Sequence, residues 1–310
     1  MDNTKKAFQV TANGKSFDYR LGKTLDLDAV RIFFEKKGYK VAVLTNAGRH
    51  VVGELQKNYI DYFLKLALSS GISILTENEF RWNQEYNLKS KSDRFIVPQN
   101  IESGFYQDGF FYLITSSLMG QTVNENDYPS IIEFSEHIQS LRIKLRPYDE
   151  TAEGKVHSLW FTEKTKRWLE AIPKDIVNLY KLYELFDFIN LHASRLAPSP
   201  RHGDFTPWHM MKLINGSIAL IDGEHALQNG VENYDIAYFI QRIFSVDKNP
   251  KQATKIYELL VKKGYDKNKL KVVLAARAIG GFLDESLSEK PNFGPHEAFS
   301  KFVRQIPLEK

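Results

Sequence analysis

The sequence predicts an α+β chain of two lobes, the first β-rich and the second helical. Paired β-type runs with Asn-Gly and Asp-Gly turns dominate residues 1–118, and helical periods dominate residues 119–310. A single glycine-punctuated hairpin interrupts the helical half between Arg201 and Ala226. A length of 310 residues suits two such lobes, and 43% hydrophobic with 26% charged residues is the mix of a chain that buries a core.

The elements follow in order. FQVTA and KSFDYRL flank Asn13-Gly14, a two-residue hairpin signal. DAVRIFFEKKG reads as a helix opened by Asp28 as N-cap and closed by Gly38. KVAVLTN, HVVGELQ and YIDYFLKLA read as strands. Thr76 and Glu79 have capping-box spacing, which predicts a helix starting at Thr76. IESGFYQ and FFYLITS flank Asp108-Gly109, a second hairpin, and the lobes join near Ser116–Gly120. Beyond the joint, SLRIKLR reads as a solvated helix face. One helix is expected from Ile176 to Leu196, with Ile176, Leu179, Tyr180, Tyr183, Phe186 and Ile189 as its core stripe. IAYFIQRIF, ATKIYELLVKKG and LKVVLAARAIGGFL give further helices. A cleft between two lobes is a common place for a ligand.

Composition removes several function classes. The 42 basic and 38 acidic side chains leave a formal +4, too weak an excess to argue for nucleic acid. Cysteine is absent, so disulfides, zinc–thiolate sites, Fe–S clusters and thiol nucleophiles are excluded. MDNTKKAFQV has no apolar stretch behind its lysines, and the apolar run near Arg277 is shorter than the ~20 residues of a membrane span. The expectation is a cytoplasmic protein with no membrane partner. Nothing in the sequence bears on oligomeric state.

The chemistry concentrates in RHGDFTPWHMMKLINGSIALIDGEHA. Asn215-Gly216 turns a hairpin that holds Asp204 just before its first strand and Asp222 at the end of its second. Paired strands of matched length bring both carboxylates to one end, the arrangement of an acid–base or metal-assisted site. Taken singly, Asp204 reads as a turn residue, Asp222 as a hairpin-end acid and Lys65 as a lysine on the solvent face of its strand.

HGDFTPWH followed by LIDGEH resembles the signature of the aminoglycoside phosphotransferase and choline kinase group, small-molecule kinases with a protein-kinase-like fold. The resemblance implies that Asp204 is the catalytic acid that orients the acceptor hydroxyl and accepts its proton. It implies that Asp222 holds Mg²⁺ at the β- and γ-phosphates of ATP, with Lys65 on the α- and β-phosphates and Glu79 as its helix partner. Glu79 has a competing reading as the third residue of the Thr76 capping box, and Glu77 and Glu85 are other candidates. ITSSLMG resembles the hinge, whose backbone from Ser116 to Leu118 would bond the adenine. His202 and Gly203 would shape the catalytic loop, and Asp235 would brace it.

One position departs from the pattern. Where the group has an asparagine for the second metal ion, this chain has His209. Imidazole suits softer ions than Mg²⁺. His209 is therefore read three ways: as a ligand for a metal such as Mn²⁺, as a phosphate contact, or as the mark of a catalytically impaired nucleotide-binding pseudokinase. The resemblance implies an ATP-dependent phosphotransferase acting on a hydroxyl of a small metabolite, whether sugar, amino sugar or choline-like amine. Trp208 and Glu224 lie beside the motifs, where an aromatic face and a carboxylate would suit a cationic acceptor. The alternative is that Trp208 packs in the core and Glu224 braces a loop.

Overall fold

A computed structural model describes residues 6–308 of the chain. The N-terminal region opens with the hairpin β1 (Gln9–Ala12) and β2 (Lys15–Asp18), then α1 (Leu27–Lys36). Asn13 and Gly14 both have positive φ, as a two-residue turn of this type requires. The cap of α1 is Asp26 rather than Asp28: its carboxylate accepts from the Asp28 amide. Strands β3 (Lys40–Ala47), β4 (His50–Lys57) and β5 (Ile60–Ala67) follow, then α2 (Ser70–Lys89), β6 (Phe95–Ile96), β7 (Asn100–Tyr106) and β8 (Phe110–Ser116). Five of these strands form an antiparallel sheet in the order β3-β4-β5-β8-β7, which leaves β5 central. The turn between β7 and β8 is a three-residue 3₁₀ segment, Gln107–Gly109.

Helix α2 begins six residues before the predicted start. Ser69 caps it by accepting from the Ile72 amide, and Thr76 sits mid-helix with its hydroxyl donating to the Ile72 carbonyl. The Thr76–Glu79 capping box therefore does not exist, which frees the Glu79 carboxylate for another partner.

The helical region holds β9 (Gly120–Thr122), α3 (Tyr128–Ser140), α4 (His157–Ala171), α5 (Lys174–Leu179), α6 (Leu182–His192), β10 (Pro198–Arg201), β11 (Met210–Leu213), β12 (Ile218–Leu220), β13 (Leu227–Val231), α7 (Tyr234–Ser245), α8 (Pro250–Lys262), α9 (Lys267–Ser286) and α10 (Gly294–Gln305). Among the described residues no helix is long and apolar enough to cross a membrane. Two expectations are corrected here. SLRIKLR is not helical: Leu141, Ile143 and Leu145 are buried and alternate with exposed Arg142, Lys144 and Arg146, the period of extended chain. The helix expected from Ile176 to Leu196 is broken at Lys181, whose φ is +53°, and the break rotates the second half. Leu179 and Tyr183 are consequently 68% and 53% exposed, while Val177, Leu182, Leu185 and Ile189 are buried.

The β11–β12 hairpin is embedded in a four-stranded sheet of order β6-β12-β11-β9. β9 directly follows the segment that joins the lobes, and β6 comes from the N-terminal region, so this sheet ties both to the hairpin. Trp82 and Tyr86 of α2 lie in the same core as the C-terminal helices, whereas the five-stranded sheet and α1 close a second core.

Candidate active site

Lys65 sits mid-strand in β5, opposite Val52 and Leu113. It is buried, with its ammonium 2.6 Å from Glu79 Oε2, in contact with Asp222 Oδ1 and 3.5 Å from Glu224 Oε2. The ordinary solvent-face reading therefore does not hold. Burial opposes the charge on Lys65, but Asp222, Glu79 and Glu224 together hold its pKa well above the usual lysine value. Burial pushes Glu79 up to about 7 against the pull of Lys65. Burial also acts to raise Asp222, yet Lys65 and then His209 keep it ionised far below the usual carboxylate range.

Asp222 adopts a left-handed conformation at φ +69°, uncommon for a residue with a side chain and typical of strained functional positions. Just before it, past the end of β12, the Ile221 amide donates to the His209 carbonyl at 3.0 Å. Gly203, in the loop between β10 and β11, has φ +86°, and a Cβ there would meet the His225 carbonyl oxygen at 2.2 Å. Asp235 lies beneath that loop and accepts from the His202 and Gly203 amides at 2.7 and 2.9 Å. His202 is buried edge-on to Trp82, with ring centroids 5.7 Å apart.

His209 links the two acids. Its Nδ1–H donates to the Asp204 carbonyl oxygen at 3.0 Å, and Nδ1 is 3.6 Å from Asp204 Oδ2. That bond orients the ring and turns Nε2 towards Asp222, 3.3 Å from its Oδ2. One ligand atom from each of Asp204, His209 and Asp222 falls within 4.8 Å of the others. Two carboxylates and an oriented imidazole are a fit donor set for a divalent cation.

Lys65, Glu79, His209 and Asp222 line a cleft of about 410 Å³, which Ser116, Ser117 and Leu118 also line. The joining segment thus shares one cleft with Lys65, Glu79 and Asp222. Ser116 is already engaged, its amide donating to the Gln99 carbonyl and its hydroxyl accepting from the Gln99 amide, so Ser117 and Leu118 remain for a ligand. Sequence reasoning missed Arg49 and His50 in this cleft. Arg49 donates to Glu224 Oε1 at 2.5 Å, and His50 pairs with Thr76 at 3.0 Å. Neither carried a local signal, because their partners lie far along the chain.

The two residues expected near an acceptor are placed differently. Glu224 is fully buried and held by Arg49 and Lys65, so its carboxylate serves the Lys65 cluster and is not presented to an acceptor. Trp208 is 46% exposed rather than packed in the core, and the Arg242 guanidinium lies 5.7 Å from its ring, where a cationic acceptor would have to compete.

The β-rich N-terminal region, the helical C-terminal region and the hairpin set between them define the class of fold: two-lobed and protein-kinase-like. No protein-family model and no curated sequence matches the chain. Solved structures do. The fold is that of the aminoglycoside phosphotransferases. A crystal structure of aminoglycoside phosphotransferase APH(4)-Ia matches at TM-score 0.69 and 15% identity, covering 92% of this chain and 100% of the other. A microcompartment-associated aminopropanol kinase matches at TM-score 0.58 and 12% identity over 90% and 94%. Spectinomycin phosphotransferase APH(9)-Ia, in complex with ADP and spectinomycin, matches at 0.54 and 13% over 88% and 93%.

Proposed function

We propose that this chain is an ATP-dependent phosphotransferase that moves the γ-phosphate to a hydroxyl of a small metabolite, with sugars, amino sugars and choline-like amines as the classes to test. The observation that carries this reading is the convergence of Lys65, Glu79, Asp222 and His209 along a single cleft, with the Asp204 carboxylate 3.6 Å from the His209 ring. Similar folds solved with ADP or AMP-PNP support a nucleotide as the occupant. Residues 1–118 then serve as the nucleotide lobe, and residues 119–310 carry the catalytic loop and the acceptor site.

Each side chain has a role. Lys65 steadies the α- and β-phosphates, and Glu79 fixes the lysine. The backbone of Ser117 and Leu118, at the end of the segment that includes Ser116, faces the adenine. Asp222 and His209 would hold a divalent cation, Mg²⁺ or Mn²⁺, which when bound offsets the charge of the phosphates. The Asp204 carboxylate orients the acceptor hydroxyl and takes its proton as the oxygen attacks phosphorus. The new O–P bond forms in line with the breaking bond to the β–γ bridging oxygen, and ADP leaves with that electron pair. Positioning and charge stabilisation supply most of the rate.

Asp204→Ala should lower turnover by ~100- to 10,000-fold and largely spare nucleotide affinity. A variant that keeps its turnover would overturn the assignment. Thermal denaturation with ATP and Mg²⁺, Mn²⁺ or chelator tests the metal site. A ligand at ~100 times its Kd stabilises by about 2.7 kcal/mol, and Asp222→Asn should abolish the metal-dependent part of that shift. Metal-independent nucleotide binding without turnover would instead mark the pseudokinase.

A further inference from the structure

Beside the catalytic loop lies a second, smaller cavity of about 100 Å³, bounded by Gly203, Lys164, Arg201, Arg277, Tyr238 and Asp284. Gly203 immediately precedes Asp204, whose carboxylate also reaches the His209 ring of the larger cleft. Asp204 is therefore one residue from the lining of the smaller cavity and in contact with a lining residue of the larger.

Three cations meet here. Lys164 of α4, Arg201 of β10 and Arg277 of α9 are only 8%, 6% and 4% exposed. Among the described residues, none of the three has a carboxylate within ion-pair distance. The neighbouring acids are engaged elsewhere. Asp284 accepts from Arg242 at 2.6 Å, Asp149 lies 3.8 Å from Arg167, and Asp235 holds the catalytic-loop amides. Tyrosine faces offset part of the charge, with Arg201 3.8 Å over Tyr234 and Arg277 3.6 Å over Tyr238. Arg277 also donates to the Tyr234 hydroxyl at 2.9 Å. Nε of both arginines has no hydrogen-bond partner, and Lys164 has neither a ring nor an acid against it. Burial pushes Lys164 down to about 8, with Arg167 and Arg201 adding to the effect against Asp149.

Buried cations without counter-ions are costly, and three at one cavity need a common anion. We propose that this cavity receives a phosphate or carboxylate group of the acceptor, so that the substrate is an anionic hydroxyl compound and not a cationic amine. This rests on the phosphotransferase reading. Size agrees. One water needs roughly 10–15 Å³ by this measure, so the space admits a single anionic group but not a whole aminoglycoside.

The test is calorimetry and thermal denaturation in saturating AMP-PNP, which fills the nucleotide cleft. Inorganic phosphate and acetate are titrated separately against chloride of equal ionic strength. At least one should bind, which distinguishes a phosphate from a carboxylate site. Lys164→Met and Arg201→Met should each weaken that anion at least tenfold with AMP-PNP affinity unchanged, and Lys164→Arg should retain it. Anion binding no better than chloride while AMP-PNP binds, or binding insensitive to both substitutions, overturns the anionic acceptor and leaves the phosphotransferase reading standing. Failure of AMP-PNP itself to bind overturns both.

Discussion

Among single residues, His209 and Lys164 make the sharpest demands. With Nδ1–H committed to the Asp204 carbonyl, His209 can offer only Nε2 towards Asp222, a nitrogen where hard Mg²⁺ prefers oxygen. His209→Asn restores an oxygen donor, so the ATP-dependent thermal shift should move in favour of Mg²⁺ over Mn²⁺; an unchanged metal ranking would remove His209 from the metal site. Lys164 poses the opposite problem, because without its ligand it is a buried charge with no counter-ion. Lys164→Met should therefore stabilise the ligand-free protein by on the order of 1–3 kcal/mol in urea denaturation, and an equal or larger loss would mean the ammonium has a structural partner. The two residues also differ in legibility. Asp204, Asp222, Lys65 and His209 stand in short motifs whose spacing announces a site. Lys164, Arg201 and Arg277 acquire their meaning only where α4, β10 and α9 converge, which no local pattern encodes.

The elements were readable where glycine or asparagine marks a turn, and misread where capping or burial depends on distant neighbours. Asn13-Gly14 and Asn215-Gly216 gave both hairpins, since few residues reach φ > 0 without strain. The spacing of Thr76 and Glu79 mimicked a cap, but the apolar start of α2 packs against β1 and β2, so the helix extends back to Ser69. SLRIKLR looked helical by its charges, although its alternation of apolar and basic residues has the period of extended chain. The loop between β10 and β11 gives the prediction at this scale. At Gly203 both a positive φ and the His225 carbonyl at 2.2 Å from any Cβ exclude a side chain. Gly203→Ala must shift the loop off Asp235, so turnover should fall at least as far as stability does. Full turnover in a folded Gly203→Ala protein would show that the loop tolerates displacement and that Asp204 needs no such bracing.

For the whole molecule, the two-lobed plan was legible, but the way its parts share a core was not. Asn78 donates to the Glu224 and Ala226 carbonyls, and Trp82 packs on His202, so α2 of the first half locks onto the segments on either side of the β11–β12 hairpin in the second. Buried histidines sit on both sides of this junction. Burial, followed by the charge of Lys65, lowers His50 to about 3, and burial followed by His209 lowers His202 to about 3. The unfolded chain binds these protons near pH 6.5 and the folded chain does not, so each histidine contributes stability that is full above pH 6.5 and is lost as pH falls towards 3. Glu79 and Asp235, pushed up chiefly by burial to about 7 and about 6, have the opposite sign, and their contribution rises as pH falls through the same window. The wild-type profile is thereby flattened, and only a difference between proteins isolates the histidine. His50→Gln keeps a donor for Thr76 and cannot titrate. Its stability relative to wild type should climb as pH drops from 6.5 to 5, approaching ~1.4 kcal/mol per pH unit at the steepest. A difference that stays constant with pH in urea denaturation would mean that His50 takes up its proton in the folded protein as readily as in the unfolded chain, and that below pH 6.5 the wall of the Lys65 cleft carries one more positive charge than the geometry assigns.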